Sequence, residues 1–119
     1  LAPRVVMAKR MDADLFVSIH ANAIPRRPDV SGLETYYYGN GERLARTIHN
    51  SILQSIGLPN RGVRRARFFV LRNNPMPAVL VETGYVTSPV EGPRLTDPAY
   101  QSQMANAIAR GILQYLQMN

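Results

Sequence analysis

Residues 14–20 read DLFVSIH. In an extended chain Leu15, Val17 and Ile19 fall on one side, and Phe16, Ser18 and His20 on the other. A run that is apolar on both sides predicts a strand covered from both faces, not a half-solvated one. AVLVETG (78–84) repeats the pattern, with Val79, Val81 and Thr83 on one face and Leu80 and Glu82 on the other. Each run carries an ionisable residue at its C-terminal end. Amphipathic helices alternate with these strands. In 42–56, Leu44, Ala45, Ile48, Ile52, Leu53 and Ile56 recur at helical spacing, and Gly57 with Pro59 stops the helix. Pro98 opens a last helix to about Leu116, with Met104, Ala105, Ile108, Ala109, Ile112, Leu113 and Leu116 on one side. The pattern predicts an α/β fold, a mostly parallel or mixed sheet flanked by helices on both faces.

The other segments complete the outline. Residues 4–13 read as a short helix, or the end of a longer one. LETYYY (33–38) is a second strand and GNGE (39–42) a turn. RFFVL (67–71) is expected to be a third strand, joined by NNPMP (73–77) to a fourth at 78–84. NAIPRRPDVSG (22–32) is a loop, and YVTSPVEGP (85–93) is irregular.

Composition bounds the function. The 119 residues fit one domain, and a hydrophobic content of 45 % is ordinary for a globular chain. No apolar run approaches the roughly 18 residues that span a bilayer. The first residue is Leu1, which suggests a mature or trimmed product. There is no cysteine, hence no disulfide and no thiolate ligand. Fourteen Lys+Arg against eight Asp+Glu give +6, which favours an anionic partner: nucleic acid, an acidic membrane surface or an acidic wall polymer.

His20 and Glu82 are the candidates for chemistry. Ligands of open α/β sheets bind at the C-terminal ends of strands. If the two strands are parallel neighbours, both side chains converge on one crevice. The plainer reading of His20 is a hydrogen-bonded structural residue. Glu82 is harder to explain structurally, because a desolvated carboxylate costs several kcal/mol without a partner. His49 is expected on a solvated helix margin. RGVRRARFFVLR (61–72) interleaves arginines with aromatics, as nucleic-acid binders do, but a strand with a basic approach is the favoured reading. Phe68 and Phe69 are adjacent, so at most one is expected to face outward. Tyr36, Tyr37 and Tyr38 are read as strand packing.

Three stretches, ADLFVSIHANA (13–23), NRGVRRARFFVLR (60–72) and MPAVLVETGYVTSPVE (76–91), resemble in order and spacing the zinc-dependent N-acetylmuramoyl-L-alanine amidases of cell-wall turnover. LARTIHNSIL and QSQMANAIARGILQYL are similar to that family too. The resemblance implies an amidase/phosphorylase-like sheet and hydrolysis of the amide between the lactyl group of N-acetylmuramic acid and the L-alanine of the stem peptide. It implies a Zn2+ cofactor with His20 as one ligand, and Glu82 as the catalytic acid/base. Zinc held by three protein ligands makes a bound water acidic, and a nearby carboxylate can move its proton. The family's other two ligands, a histidine in a GHGG-type turn and a glutamate, are expected upstream of this chain. The chain is therefore expected to be a single partial catalytic domain, 1–119, lacking its N-terminal strands. Glu34 and His49 do not stand at ligand positions. Asn22 and Arg72 are candidate substrate groups, Asn22 near the metal and Arg72 on a peptide carboxylate. Some members insert an inhibitory helix after the strand matching LETYYY, and GNGE implies an open site here. Thr87-Ser88 stands where the family often has Ser-Asn. Peptidoglycan is the implied partner, with anionic wall polymers as a further one, no nucleic acid, and a periplasmic or extracellular, wall-associated location. The alternative function is a non-catalytic wall-binding remnant of an amidase domain.

Overall fold

The computed structural model describes residues 2–118. Helix α1 (Ala2–Arg10) leads into β1 (Phe16–Asn22), and a loop returns the chain to β2 (Leu33–Tyr37). A 3-10 turn at Gly39–Gly41 connects directly to α2 (Glu42–Ser55). Then follow β3 (Asn60–Arg65), the single-turn helix α3 (Phe69–Arg72), β4 (Ala78–Tyr85), the short α4 (Glu91–Leu95) and α5 (Pro98–Gln117). The sheet order is β1-β4-β2-β3. β1 pairs β4 and β2 pairs β3 in parallel, whereas β2 and β4 are antiparallel. The sheet is mixed, with helices on both faces, as the residue pattern predicts.

Interior β4 carries the most apolar sequence, and Glu82 is its one residue that is not fully buried. On one face Leu33, Val79 and Val81 pack against Leu44, Ile48 and Ile52 of α2 and Met104 and Ile108 of α5. On the other, Ala78 and Leu80 lie under Val5 of α1 and Val70 and Leu71 of α3. Among the described residues, no helix is long and apolar enough to cross a membrane.

Four expectations need correction. The third strand is not at 67–71 but at Asn60–Arg65, and 69–72 forms a helical turn. A short apolar run does not distinguish a buried turn from a strand. One turn of helix suffices to bury Val70 and Leu71. β3 is an edge strand, which tolerates the charged sequence NRGVRR and is protected by it. The stretch 85–93 is not wholly irregular, because α4 begins at Glu91.

The buried stripe of α5 is also displaced. It consists of Met104, Ala107, Ile108 and Gly111, while Ala105 and Ala109 are exposed, as are Leu113 and Leu116. Two apolar stripes lie side by side on this helix, and the one with the smallest residues permits the closest approach to α2. A Cβ at Gly111 would sit 2.7 Å from the Ile48 Cα.

His49 is not solvated but 2 % exposed. Its Nε2 lies 2.7 Å from Asn60 Oδ1, which also accepts from the Gly62 N–H. That shared oxygen is an acceptor, so Nε2 carries the proton, and Nδ1 accepts from the Thr35 hydroxyl at 2.9 Å. The ring thus ties α2 to β2 and β3, and burial is tolerated because both nitrogens are satisfied.

The α2–α5 contact generates a prediction. Alanine for glycine in a helix ordinarily stabilises by about 1 kcal/mol. Gly111→Ala should instead destabilise by about 1–3 kcal/mol through overpacking, read as a lowered denaturation midpoint. An unchanged or raised midpoint would contradict the packing.

Candidate active site

β1 and β4 are parallel neighbours, and their register sets His20 opposite Glu82. On the other side of β4, the antiparallel register sets Glu34 opposite the same Glu82. His20, Glu82 and Glu34 therefore form one row across three strands. Opposed residues share a face, here the one covered by α1 and α3. A cavity of about 270 Å³ opens beside the row, lined by His20, Glu82, Leu80, Phe68, Phe69 and Val70. His20 Nε2 lies 2.8 Å from the Ser18 hydroxyl, two residues back on the same face. The Thr83 hydroxyl donates to the His20 carbonyl at 2.9 Å, which holds β1 against β4 at this level.

Like charges directly opposite in a sheet repel. The two carboxylates are handled differently. Glu34 is 4 % exposed and fully engaged. The Tyr36 hydroxyl donates to its Oε1, and Arg64 Nε lies 2.8 Å from its Oε2. Burial, then the bond to Glu34, pushes the Tyr36 phenol well above its usual range. Glu82 is half-buried, and its buried Oε2 has no hydrogen-bond partner in the chain. Burial, and secondarily the Glu34 charge, pushes its carboxyl up. A carboxyl tuned upward, with an unclaimed oxygen on a cavity, is the equipment of a general acid/base.

Among the described residues no three metal-binding side chains gather. His20 offers one imidazole, and a catalytic zinc takes three protein ligands. The donor set here fits one corner of such a site and does not complete it.

Asn22 uses its Oδ1 on the next N–H, that of Ala23, at 2.9 Å. Arg72 is exposed, with its guanidinium 5.7 Å over the ring of Phe69, a wall of the cavity. Phe68 and Phe69 are both exposed, at 42 % and 38 %, contrary to the expectation for a strand. They begin a helical turn, where neighbours do not alternate. Phe68 meets Tyr36 edge-on at 5.0 Å.

Sequence reasoning passed over Glu34 and Arg64. Parity places Glu34 and Tyr36 on one face, but only the β2–β4 register brings Glu34 to Glu82. Glu91 was missed as well. It is buried, and its carboxylate accepts from the Gly32 and Tyr85 N–H groups, both at 2.9 Å. This ties the start of β2 to the end of β4. Thr87 and Ser88 serve the same loops: Thr87 Oγ1 accepts from Ile24, and Ser88 Oγ from Val90 and Glu91.

The N-acetylmuramoyl-L-alanine amidase family model matches residues 1–114. The chain belongs to this family. It is 38 % identical over 120 residues to the N-acetylmuramoyl-L-alanine amidase LytC of Bacillus subtilis, covering 97 % of this chain and 24 % of LytC. It is 33 % identical to the germination-specific N-acetylmuramoyl-L-alanine amidase of the same organism, covering 97 % of this chain and 50 % of that protein. Among solved structures, the amidase AmiC2 of Nostoc punctiforme superposes with a TM-score of 0.96 at 58 % identity, covering 98 % of this chain and 66 % of that one. CwlD of Clostridioides difficile, solved in complex with the GerS lipoprotein, gives 0.92 at 30 % identity, over 99 % of this chain and 62 % of that one. This amidase-family chain thus spans between a quarter and a half of these two curated relatives, and about two thirds of these solved chains.

The raised Glu82 carboxyl has a consequence for stability. A carboxyl whose folded pKa lies above its unfolded value disfavours the native state once it must ionise. That cost is absent below the ordinary carboxylate range and grows as pH rises through it. Glu82→Gln should therefore raise the Tm at pH 7, with the gain shrinking toward pH 4. Melting curves at the two pH values check this, and equal shifts at both would contradict it.

Proposed function

We propose that this chain supplies the His20–Glu82 part of a peptidoglycan amidase site, which hydrolyses the amide joining N-acetylmuramic acid to L-alanine of the stem peptide. The observation that carries the reading is Glu82: a half-buried carboxyl pushed upward, with one oxygen unclaimed, directly opposite an imidazole on the neighbouring parallel strand.

In this reading ionised Glu82 takes a proton from a water as it attacks the scissile carbonyl, then returns it to the leaving amine of alanine. The raised carboxyl suits both tasks, because burial makes it a stronger base than an ordinary carboxylate while it still returns the proton to the amine. Phe68, Phe69 and Leu80 wall the cavity and limit its water. Arg64 and Tyr36 keep Glu34 occupied, so Glu82 alone faces the substrate. His20 suits a zinc ion as one ligand. Its Nε2 is hydrogen-bonded to the Ser18 hydroxyl, and its Nδ1 has no partner among the described residues. Zinc at such a site would acidify a water molecule and polarise the scissile carbonyl.

Two further ligands belong to a portion of the domain outside 1–119. The coverage of the solved relatives supports this, and so does the edge of β1. There Met7, Met11, Leu15, Val17 and Ile19 line an open hollow of about 380 Å³, and Ile19 is 56 % exposed on the edge strand. Arg72, standing on the cavity-wall residue Phe69, and Asn22, whose Nδ2 has no partner among the described residues, are the candidate substrate groups. Peptidoglycan as substrate, with anionic wall polymers as secondary partners, implies a wall-associated location, periplasmic or extracellular. Relatives named as cell wall amidases support the wall association.

The test uses the full-length protein. Glu82→Gln should lower turnover of muramoyl-peptide substrate about 10²–10⁴-fold while bound zinc per chain is unchanged. His20→Ala should lower the zinc content itself. A Glu82→Gln protein with wild-type turnover would overturn the assignment.

A further inference from the structure

The segment 61–72 contains five arginines and no acidic residue. Arg64 is paired with Glu34, and Arg65 and Arg72 lie over the rings of Tyr38 and Phe69, at 4.5 and 5.7 Å. Arg67 is exposed, and Arg61 differs from the other four in its burial. It is half-buried, its Nε is buried without any hydrogen-bond partner, and it is in no ion pair among the described residues.

Arg61 belongs to β3, but its guanidinium stacks 5.5 Å over the ring of Tyr85, on β4. β2 lies between those strands, so the side chain reaches across β2 toward the C-terminal end of β4. Gly32 leaves room for that path: a Cβ there would come within 3.0 Å of the Arg61 Cγ. Glu91 fixes both ends of the passage through the N–H groups of Gly32 and Tyr85. The stacked ring holds the guanidinium in one plane, which suits bidentate recognition of a carboxylate. A buried cationic donor without a partner is costly unless it has work to do. Tyr85 follows Glu82 by about 10 Å of strand. An extended peptide held at Glu82 therefore reaches Arg61 within its first three or so residues.

We propose that Arg61 anchors a carboxylate subsite beside the His20–Glu82 row, which selects stem peptides bearing a free carboxylate close to the scissile amide. The inference rests on the amidase reading above and gives it a substrate preference. Arg61 would hold the peptide through charge-assisted hydrogen bonds, and an amidated peptide offers no charge to pair.

The experiment compares a muramoyl tripeptide having free carboxylates with the same tripeptide fully amidated, using the full-length protein. Wild type should prefer the acid about tenfold in kcat/KM, mainly through KM, as expected for one charge-assisted contact. Arg61→Gln should bring the ratio to about one. Arg61→Lys, which keeps the charge but loses the fork, should leave a reduced preference, and decides the matter if Arg61→Gln does not fold. Arg43→Gln removes an equal charge from exposed α2 and should keep the wild-type ratio. Equal use of both peptides by wild type would overturn the subsite and leave the amidase reading intact. Cleavage of neither would overturn the amidase reading itself. A preference retained in Arg61→Gln, or lost equally in Arg43→Gln, would also refute the assignment. So would Arg61-dependent, salt-sensitive binding to phosphate-bearing wall polymer with an unchanged acid-to-amide ratio.

Discussion

Two carboxylates stand directly opposite each other on adjacent strands, in the half-buried interior of one sheet face. Left alone, that pairing would be destabilising. The surrounding sequence makes it tolerable by treating the two unequally. Glu34 receives a phenol and a guanidinium, so its charge is neutralised where it lies. Glu82 receives neither, and desolvation with the residual field of Glu34 pushes its carboxyl upward. One sheet register thus produces a silent carboxylate and a responsive one. The β1–β4 register sets His20 opposite the responsive one, which brings an imidazole beside it.

The rest of the fold holds that register. β4 is interior because it is apolar on both sides, and interior position gives Glu82 two neighbours at once. His49 fastens α2 to β2 and β3, while Glu91 joins the start of β2 to the end of β4. Both are buried polar groups with their hydrogen bonds satisfied, and both tie elements distant in sequence. A one-residue slip of β2 would turn Glu34 to the other face and remove the inequality that tunes Glu82.

Much of this was legible in the sequence. AVLVETG announces two-face burial through composition and parity alone, and β4 has it. DLFVSIH carries the same pattern, but β1 is an edge strand with Ile19 56 % exposed, so that expectation fails there. His20 and Glu82 follow as polar endings of the two strands. What failed did so for identifiable reasons. RFFVL looks like a strand because five apolar-rich residues carry no usable period, whereas the true strand, NRGVRR, lies at an edge where apolar residues are not required. The stripe of α5 was misplaced because small residues, not large ones, choose the face at a close helix crossing. The burial of His49 is invisible locally because its partners, Thr35 and Asn60, come from other elements. The place of Glu34 beside Glu82 is hidden for the same reason: the alternation of one strand is local, but register between strands is a property of the whole sheet.

The central claim is that the His20–Glu82 row performs amide hydrolysis at the junction of glycan and peptide. Product analysis of purified peptidoglycan digested by the full-length protein tests it most directly. The account predicts peptides with a newly free amino group on L-alanine and glycan strands whose lactyl groups end in carboxylates. Undigested peptidoglycan, or peptides cut at any other bond, would contradict it.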